Sequence, residues 1–127
     1  MCIRNKISIG IVEDHLLFRK SVVTFLNSTN SCKVAFELSN GRDVVNQLKK
    51  HSPNILLLDL QMPEVDGFEA LQEIREKIPT QKIIIYSSLY TREVGLTVIE
   101  NQIQDYLPKQ VPLEVLQRTI EKINDAN

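Results

Sequence analysis

The sequence predicts an α/β protein made of five successive βα units, (βα)5, in which a parallel sheet is covered by helices on both faces. Two observations carry this. Wholly aliphatic runs at Ile55–Leu58 and Ile83–Ile85 read as strands buried on both sides, as parallel sheets require. Between the strand-like segments, apolar residues return each time to spacings of three and four, the period of an amphipathic helix.

The elements follow in order. Ile7–Val12 is a strand that delivers Glu13 and Asp14 at its end. A helix comes next, with Phe18, Val22, Phe25 and Leu26 on one face. Val34, Phe36 and Leu38 alternate with Lys33, Ala35 and Glu37, the pattern of a half-exposed strand. A short helix is expected from Arg42 to Lys50, and Ser52-Pro53-Asn54 then introduces the strand Ile55–Leu58, which ends at Asp59. Phe68, Leu71, Ile74 and Ile78 mark a helix closed by Pro79. Ile83–Tyr86 is a strand ending in Ser87-Ser88, followed by a helix over Thr91–Asn101 and a short polar strand, Gln104–Leu107. The last helix begins with Pro112 in its first turn, where a missing N–H costs nothing, and buries Leu113, Leu116, Ile120 and Ile123. The three most apolar strands belong in the centre and the two more polar ones at the edges. Right-handed crossovers then give the doubly wound order 2-1-3-4-5.

At 127 residues, 43% hydrophobic and 24% charged, the chain has the composition of one soluble domain. The expected domain is 1–127, with a core over about 6–123 and Asn124–Asn127 as a frayed end or the start of a linker. A formal net charge of −1 supplies no bulk field for nucleic acid or an anionic membrane. No apolar run spans a bilayer and no signal-peptide core is present, so a cytoplasmic location is expected. Cys2 and Cys32 read as two free thiols, and no zinc spacing accompanies them.

Asp59 is a carboxylate at the exit of a buried strand, so it is either a helix cap or a reactive centre. The predicted order puts Glu13, Asp14 and Asp59 around the crevice between the first and third strands, where open α/β sheets bind ligands. Three ionised carboxylates there repel one another unless they hold a divalent cation, and oxygen-only ligands favour Mg2+ or Mn2+ over zinc. Lys109, just past the fifth strand, adds a positive charge, and Ser87 adds a hydroxyl donor. These are the parts for phosphoryl transfer to a carboxylate, with Asp59 as nucleophile.

Four motifs, Ile11-Val12-Glu13-Asp14-His15, Leu58–Pro63 with Asp66-Gly67, Ile85–Ser88, and Asp105–Lys109, stand in order at the first, third, fourth and fifth strand ends. With them the chain resembles a response-regulator receiver domain of bacterial two-component systems, over roughly residues 6 to 123, with the flavodoxin-like doubly wound fold. The resemblance implies that Asp59 is the phosphoacceptor, Asp14 a direct Mg2+ ligand, Glu13 the second acidic position, and Gln61 the residue whose backbone carbonyl completes the metal shell. It implies Ser87 as the switch hydroxyl, Lys109 as the family lysine and Tyr106 as the aromatic switch. The implied partner is a histidine kinase or a phosphotransfer protein, with homodimerisation a possible result of phosphorylation. The chain departs from the pattern at Gln110, where proline is usual, and at Ser88, where alanine is commoner. A Lys-Gln pair is familiar in receivers attached to LuxR-type helix-turn-helix outputs, which implies transcriptional control through a DNA-binding domain outside this chain; a stand-alone receiver is the other option.

Other residues carry plainer expectations. Asp66 reads as a helix cap, His15 as a solvent-facing first-turn residue and His51 as the end of a surface helix. Tyr106 fits a packed strand aromatic as well as a switch. Gly95, Thr97, Val98 and Ile99 are weak helix formers, which marks their helix either as a mobile part or as one held by tertiary packing. Two rival functions fit the sequence less well. A haloacid-dehalogenase-type phosphatase needs an aspartate where Gln61 stands, and a flavin-binding module needs a phosphate loop after the first strand that is missing here.

Overall fold

Parallel strands can be joined only by crossovers, and here each crossover is a helix. The computed structural model describes residues 5–61, 67–88 and 92–126. The elements run β1 (Ile7–Val12), α1 (Leu16–Ser28), β2 (Cys32–Leu38), α2 (Val44–His51), β3 (Ile55–Leu58), α3 (Gly67–Lys77), β4 (Lys82–Ser87), α4 (Arg92–Glu100), β5 (Asp105–Pro108) and α5 (Leu113–Ala126). All the strands pair in parallel, in the order β2-β1-β3-β4-β5. The flavodoxin-like doubly wound arrangement expected from the sequence is the one observed.

The pleat divides the core in two. Leu56 and Leu58 of β3 point into a layer with Val44, Leu48, Leu71 and Ile74 of α2 and α3 and Val94 of α4. Ile55 and Leu57 point the other way, onto Val22 and Leu26 of α1 and Leu116 and Ile120 of α5. Every residue of β3 is buried, which is why it carries no polar residue before its exit.

The edge strand β2 differs from its simple alternation. Its register against β1 shifts between Ile9 and Gly10, whose partners are Val34 and Phe36, so Ala35 is an inserted bulge residue. The bulge reverses the phase of the pleat. Val34 packs with the α1/α5 layer, whereas Phe36 and Leu38 pack with the α2/α3 layer, and the three do not share one face. Gly10 makes this possible, because a Cβ there would collide with the Phe36 ring.

Several boundaries move by a residue or two. Helix α2 starts at Val44 rather than Arg42; Asp43 at its N-cap takes the side-chain amides of Asn46 and Gln47 at 2.9 and 2.8 Å. His51 ends α2 exposed, as expected, with its ring 5.5 Å from that of Phe36. Gln104 lies just before β5 and still pairs with β4: its N–H donates to the Ile83 carbonyl at 3.0 Å and its side-chain oxygen accepts from the Ile83 N–H at 2.7 Å. Pro112 precedes α5 instead of opening it, and its carbonyl accepts from Val115 and Leu116. Helix α5 runs through Asn124 and Asp125 to Ala126, residues expected to be frayed or the start of a linker. The expected roles of Cys2, Asp66 and the Leu89–Thr91 stretch lie outside the described residues. Among the described residues Cys32 is a buried free thiol, and no helix is long and apolar enough to cross a membrane.

Arg75 ties α3 to the end of α4. Its Nε donates to the Asn101 carbonyl at 2.7 Å and its Nη1 to that of Gln81 at 2.8 Å. At the other end of α3, the Gly67 N–H donates to the Leu60 carbonyl at 3.3 Å, and any Cβ on Gly67 would collide with the Asp59 carbonyl oxygen and the Leu60 Cα. Backbone cannot yield as a flexible side chain can. Gly67→Ala is therefore expected to lower stability by about 2 kcal/mol, read as a fall in the urea midpoint at unchanged m-value.

Candidate functional site

The carboxyl ends of the central strands meet on one side of the sheet, and backbone bonds fix what they carry. The Asp59 N–H donates to the Val12 carbonyl at 3.1 Å, extending the β1–β3 ladder by one residue. The Glu13 N–H donates to the Leu38 carbonyl at 2.9 Å, extending the β1–β2 ladder in the same way. The Lys109 N–H donates to the Ser87 carbonyl at 3.1 Å, which sets the lysine beside the end of β4. Four elements that are remote in sequence thus place their polar residues within side-chain reach of one another.

Asp59 and Glu13 are each 2% exposed, and Lys109 Nζ lies between them, 2.9 Å from Asp59 Oδ2 and 2.6 Å from Glu13 Oε1. The other carboxylate oxygens take backbone donors: Asp59 Oδ1 accepts from the Gln61 N–H at 3.0 Å, and Glu13 Oε2 from the His15 N–H at 3.0 Å. Asp14 is exposed at the rim, and one carboxylate oxygen from each of Glu13, Asp14 and Asp59 lies within 4.8 Å of the others. Three hard oxygen donors, one of them open to solvent, suit a small divalent ion that keeps several waters. The donor set fits Mg2+ or Mn2+.

Burial pushes the Glu13 carboxyl above its ordinary 4.5, and Lys109 and the His15 N–H only partly offset it. For Lys109 burial acts to lower the ammonium, but the hydrogen bonds and charges of Glu13 and Asp59 outweigh it and hold it above 10.5. Folding thus favours protonated Lys109, and this contribution is complete below 10.5 and fades as pH rises through its folded value. Glu13 shifts in the same direction for a different reason. Its ionisation in the folded state is penalised, so its contribution to stability falls as pH rises from 4.5 through its raised value.

Ser87 is fully buried at the end of β4. Its carbonyl accepts both the Lys109 N–H and, at 3.3 Å, the Tyr106 hydroxyl. Tyr106 is half-buried, packed on the layer that contains Val94 of α4. Gln61 is exposed, and its side-chain oxygen accepts from the Ser88 hydroxyl at 3.3 Å. The peptide bond between Lys109 and Gln110 is trans.

Three neighbours escape sequence reasoning. Phe18, read only as part of the apolar face of α1, lies under the lysine, with Nζ 5.0 Å from its ring centroid. Arg19 donates to the Glu13 carbonyl at 2.7 Å and to Glu37 at 2.9 Å, pinning the backbone that carries Glu13. His15 is exposed as expected, but it is the N-cap of α1 and not a first-turn residue; its Nδ1 accepts from the Phe18 N–H at 3.1 Å. An i to i+3 spacing could have flagged the cap, whereas the other two contacts depend on tertiary placement.

Removing the lysine leaves two buried carboxylates without their cation. Lys109→Met is expected to cost about 3 kcal/mol at pH 7.5. The loss should shrink toward pH 5 as the stranded Glu13 carboxyl, already raised by burial, takes up a proton, which urea melts at the two pH values will show.

The chain matches the family model for the response regulator receiver domain over residues 9–121. It is 30% identical over 112 residues to the transcriptional regulatory protein DegU of Brevibacillus brevis, covering 88% of this chain and 48% of that protein. To the sensory transduction protein LytT of Oceanobacillus iheyensis it is 32% identical over 104 residues, 82% of this chain and 42% of the other. The chain therefore spans about half the length, or less, of the curated relatives it matches. Among solved structures, a LuxR-family DNA-binding response regulator from Staphylococcus aureus superposes with a TM-score of 0.84 at 29% identity, covering 92% of this chain and 98% of that one. Sequence match, strand order and the polar cluster at the strand ends agree, and the chain belongs to the response regulator receiver domain family of two-component signalling.

Proposed function

We propose that Asp59 accepts a phosphoryl group from a phosphohistidine on a partner histidine kinase or phosphotransfer protein, and that the domain signals through the resulting change of surface. The observation that carries this is the buried Asp59 carboxylate, held by Lys109 at 2.9 Å next to the acidic oxygens of Glu13 and Asp14. A carboxylate oxygen of Asp59 attacks phosphorus, the N–P bond of the phosphohistidine breaks, and the imidazole leaves. Bound at Asp14, Asp59, Glu13 and the Gln61 carbonyl, Mg2+ would neutralise charge on the transferring group. Lys109 contributes a point charge and would stabilise the phosphoryl oxygens in the product.

The new dianion attracts Ser87 and Lys109. Tyr106 shares the Ser87 carbonyl with the lysine backbone, so a shift at the end of β4 is passed to its ring and to α4. The chain acts as a phosphoacceptor that assists its own phosphorylation and slow dephosphorylation, and does not turn over a metabolite. A cytoplasmic location follows from a kinase partner of this kind. The relationship to DegU and to a LuxR-family regulator, together with Gln110 after the lysine, supports transcriptional output through a DNA-binding domain beyond this chain, with dimerisation on phosphorylation as its trigger.

Incubation with Mg2+ and acetyl phosphate should give an acid-stable, base-labile adduct of one phosphoryl group by mass, absent in Asp59→Asn. No adduct on the wild type overturns the reading, and multiple turnover of donor favours a phosphatase. Mg2+ alone should raise the Tm by relieving carboxylate repulsion. An equal rise in Asp14→Ala would show that the metal lies elsewhere.

A further inference from the structure

Among the described residues one buried side-chain polar atom has no hydrogen-bond partner: the phenolic oxygen of Tyr86. The residue is 2% exposed. Its strand is otherwise aliphatic through Ile83, Ile84 and Ile85, and phenylalanine would fill the same space without an unsatisfied hydroxyl, which costs about 1–3 kcal/mol.

The place of this hydroxyl gives it a use. Val12, Leu58 and Ile85 are in register across β1, β3 and β4, so the next residues, Glu13, Asp59 and Tyr86, stand on one level of the sheet. The pleat sets Tyr86 on the face of Ile11, Leu57 and Ile84, toward α1 and α5. With strands about 4.8 Å apart, the backbones of Glu13 and Tyr86 are separated by about 10 Å, a gap two long side chains can close. The Phe18 ring lies against Tyr86, 5.5 Å between centroids, and also beneath the ammonium that Glu13 holds. Burial, and after it the charge of Glu13, push the phenol up to about 12, so it remains a proton donor throughout the physiological range.

We propose that Tyr86 is a positioning residue whose hydroxyl, unpartnered in the resting state, donates to the Glu13 carboxylate when Lys109 leaves it for a phosphoryl group on Asp59. The proposal rests on the phosphoacceptor reading above. In the resting state Glu13 Oε1 takes Lys109 at 2.6 Å and Oε2 takes the His15 N–H. A dianionic phosphoryl group draws the lysine more strongly than a carboxylate does. Even with Mg2+ on one of its oxygens, Glu13 has then lost a direct ammonium partner at 2.6 Å while remaining 2% exposed, and a buried carboxylate with an acceptor position left open is costly. A waiting hydroxyl lowers that cost and so favours the lysine's move.

The test compares wild type with Tyr86→Phe, using beryllofluoride with Mg2+ as the phosphoryl mimic and acetyl phosphate as donor. The unmodified variant should melt at the wild-type temperature or above it, because an unsatisfied hydroxyl has gone. Its apparent affinity for beryllofluoride should be about tenfold weaker, the factor one hydrogen bond to a charged group is worth. Wild type should show a red shift of tyrosine absorbance on binding the mimic, from phenol donation to a carboxylate, and the variant should lack that component. A lowered Tm of the unmodified variant overturns the proposal, because the hydroxyl then already has a partner. Equal affinities also overturn it, and so does weaker binding with the same spectral change in both proteins. If wild type takes neither the mimic nor a phosphoryl group, the phosphoacceptor reading falls and Tyr86 with it; if wild type takes both and the variant matches it, Tyr86 alone is wrong.

Discussion

Lys109 shared between Glu13 and Asp59 is the interaction on which the other features of the site depend. Two nearly inaccessible carboxylates at the mouth of a buried sheet would repel each other without a cation between them. One ammonium satisfies both, and each carboxylate takes a further backbone N–H on its remaining oxygen. The lysine is itself held by its backbone bond to Ser87 and by the Phe18 ring beneath its ammonium. Its position is therefore linked to β1, β3, β4 and α1 together, and anything that pulls it is felt in all four.

That arrangement follows from the way a parallel sheet ends. Ladder bonds continue past the last strand residues, from Asp59 to Val12 and from Glu13 to Leu38, so polar groups at the exits inherit the precision of the sheet. The helices keep water from the sheet's two faces, through layers on either side of β3 that are largely aliphatic. Chemistry and stability are separated along the strand: apolar residues within it, charged residues one step beyond.

This separation explains what the sequence could tell. Asp59, Glu13, Asp14 and Ser87 were legible as a group because a charged or hydroxyl residue at the end of an apolar run is a local signal, repeated at three strands, and Lys109 joined them by its place just past the fifth. Strand order was legible from strand polarity and the handedness of crossovers. The bulge at Ala35 was not, because it depends on the Phe36 ring finding space over Gly10 of another strand. Nor were the lysine's seat on Phe18, the Arg19 bond to the Glu13 carbonyl or the unsatisfied Tyr86 hydroxyl, each a matter of how separate elements meet. Periodicity marks Phe18 and Tyr86 as buried, but the lysine above the one and the missing partner of the other leave no trace in it. Helix α5 runs further than its polar end suggested, through Asn124 and Asp125 to Ala126, and β5 begins one residue later than expected, at Asp105.

The Arg75 fork has a mechanical consequence. It fastens the chain at Asn101, one residue past the end of α4, to the frame formed by α3 and the start of β4. A helix fastened at one end moves as a lever. Nine residues make an arm of about 13 Å, and a tilt of 10° about the fastened end would carry the far end through roughly 2 Å. The far end is the one nearest Ser87 in the chain, so under the proposed switch a displacement too small to disturb the core at the fulcrum would be largest at the end closest in sequence to the site.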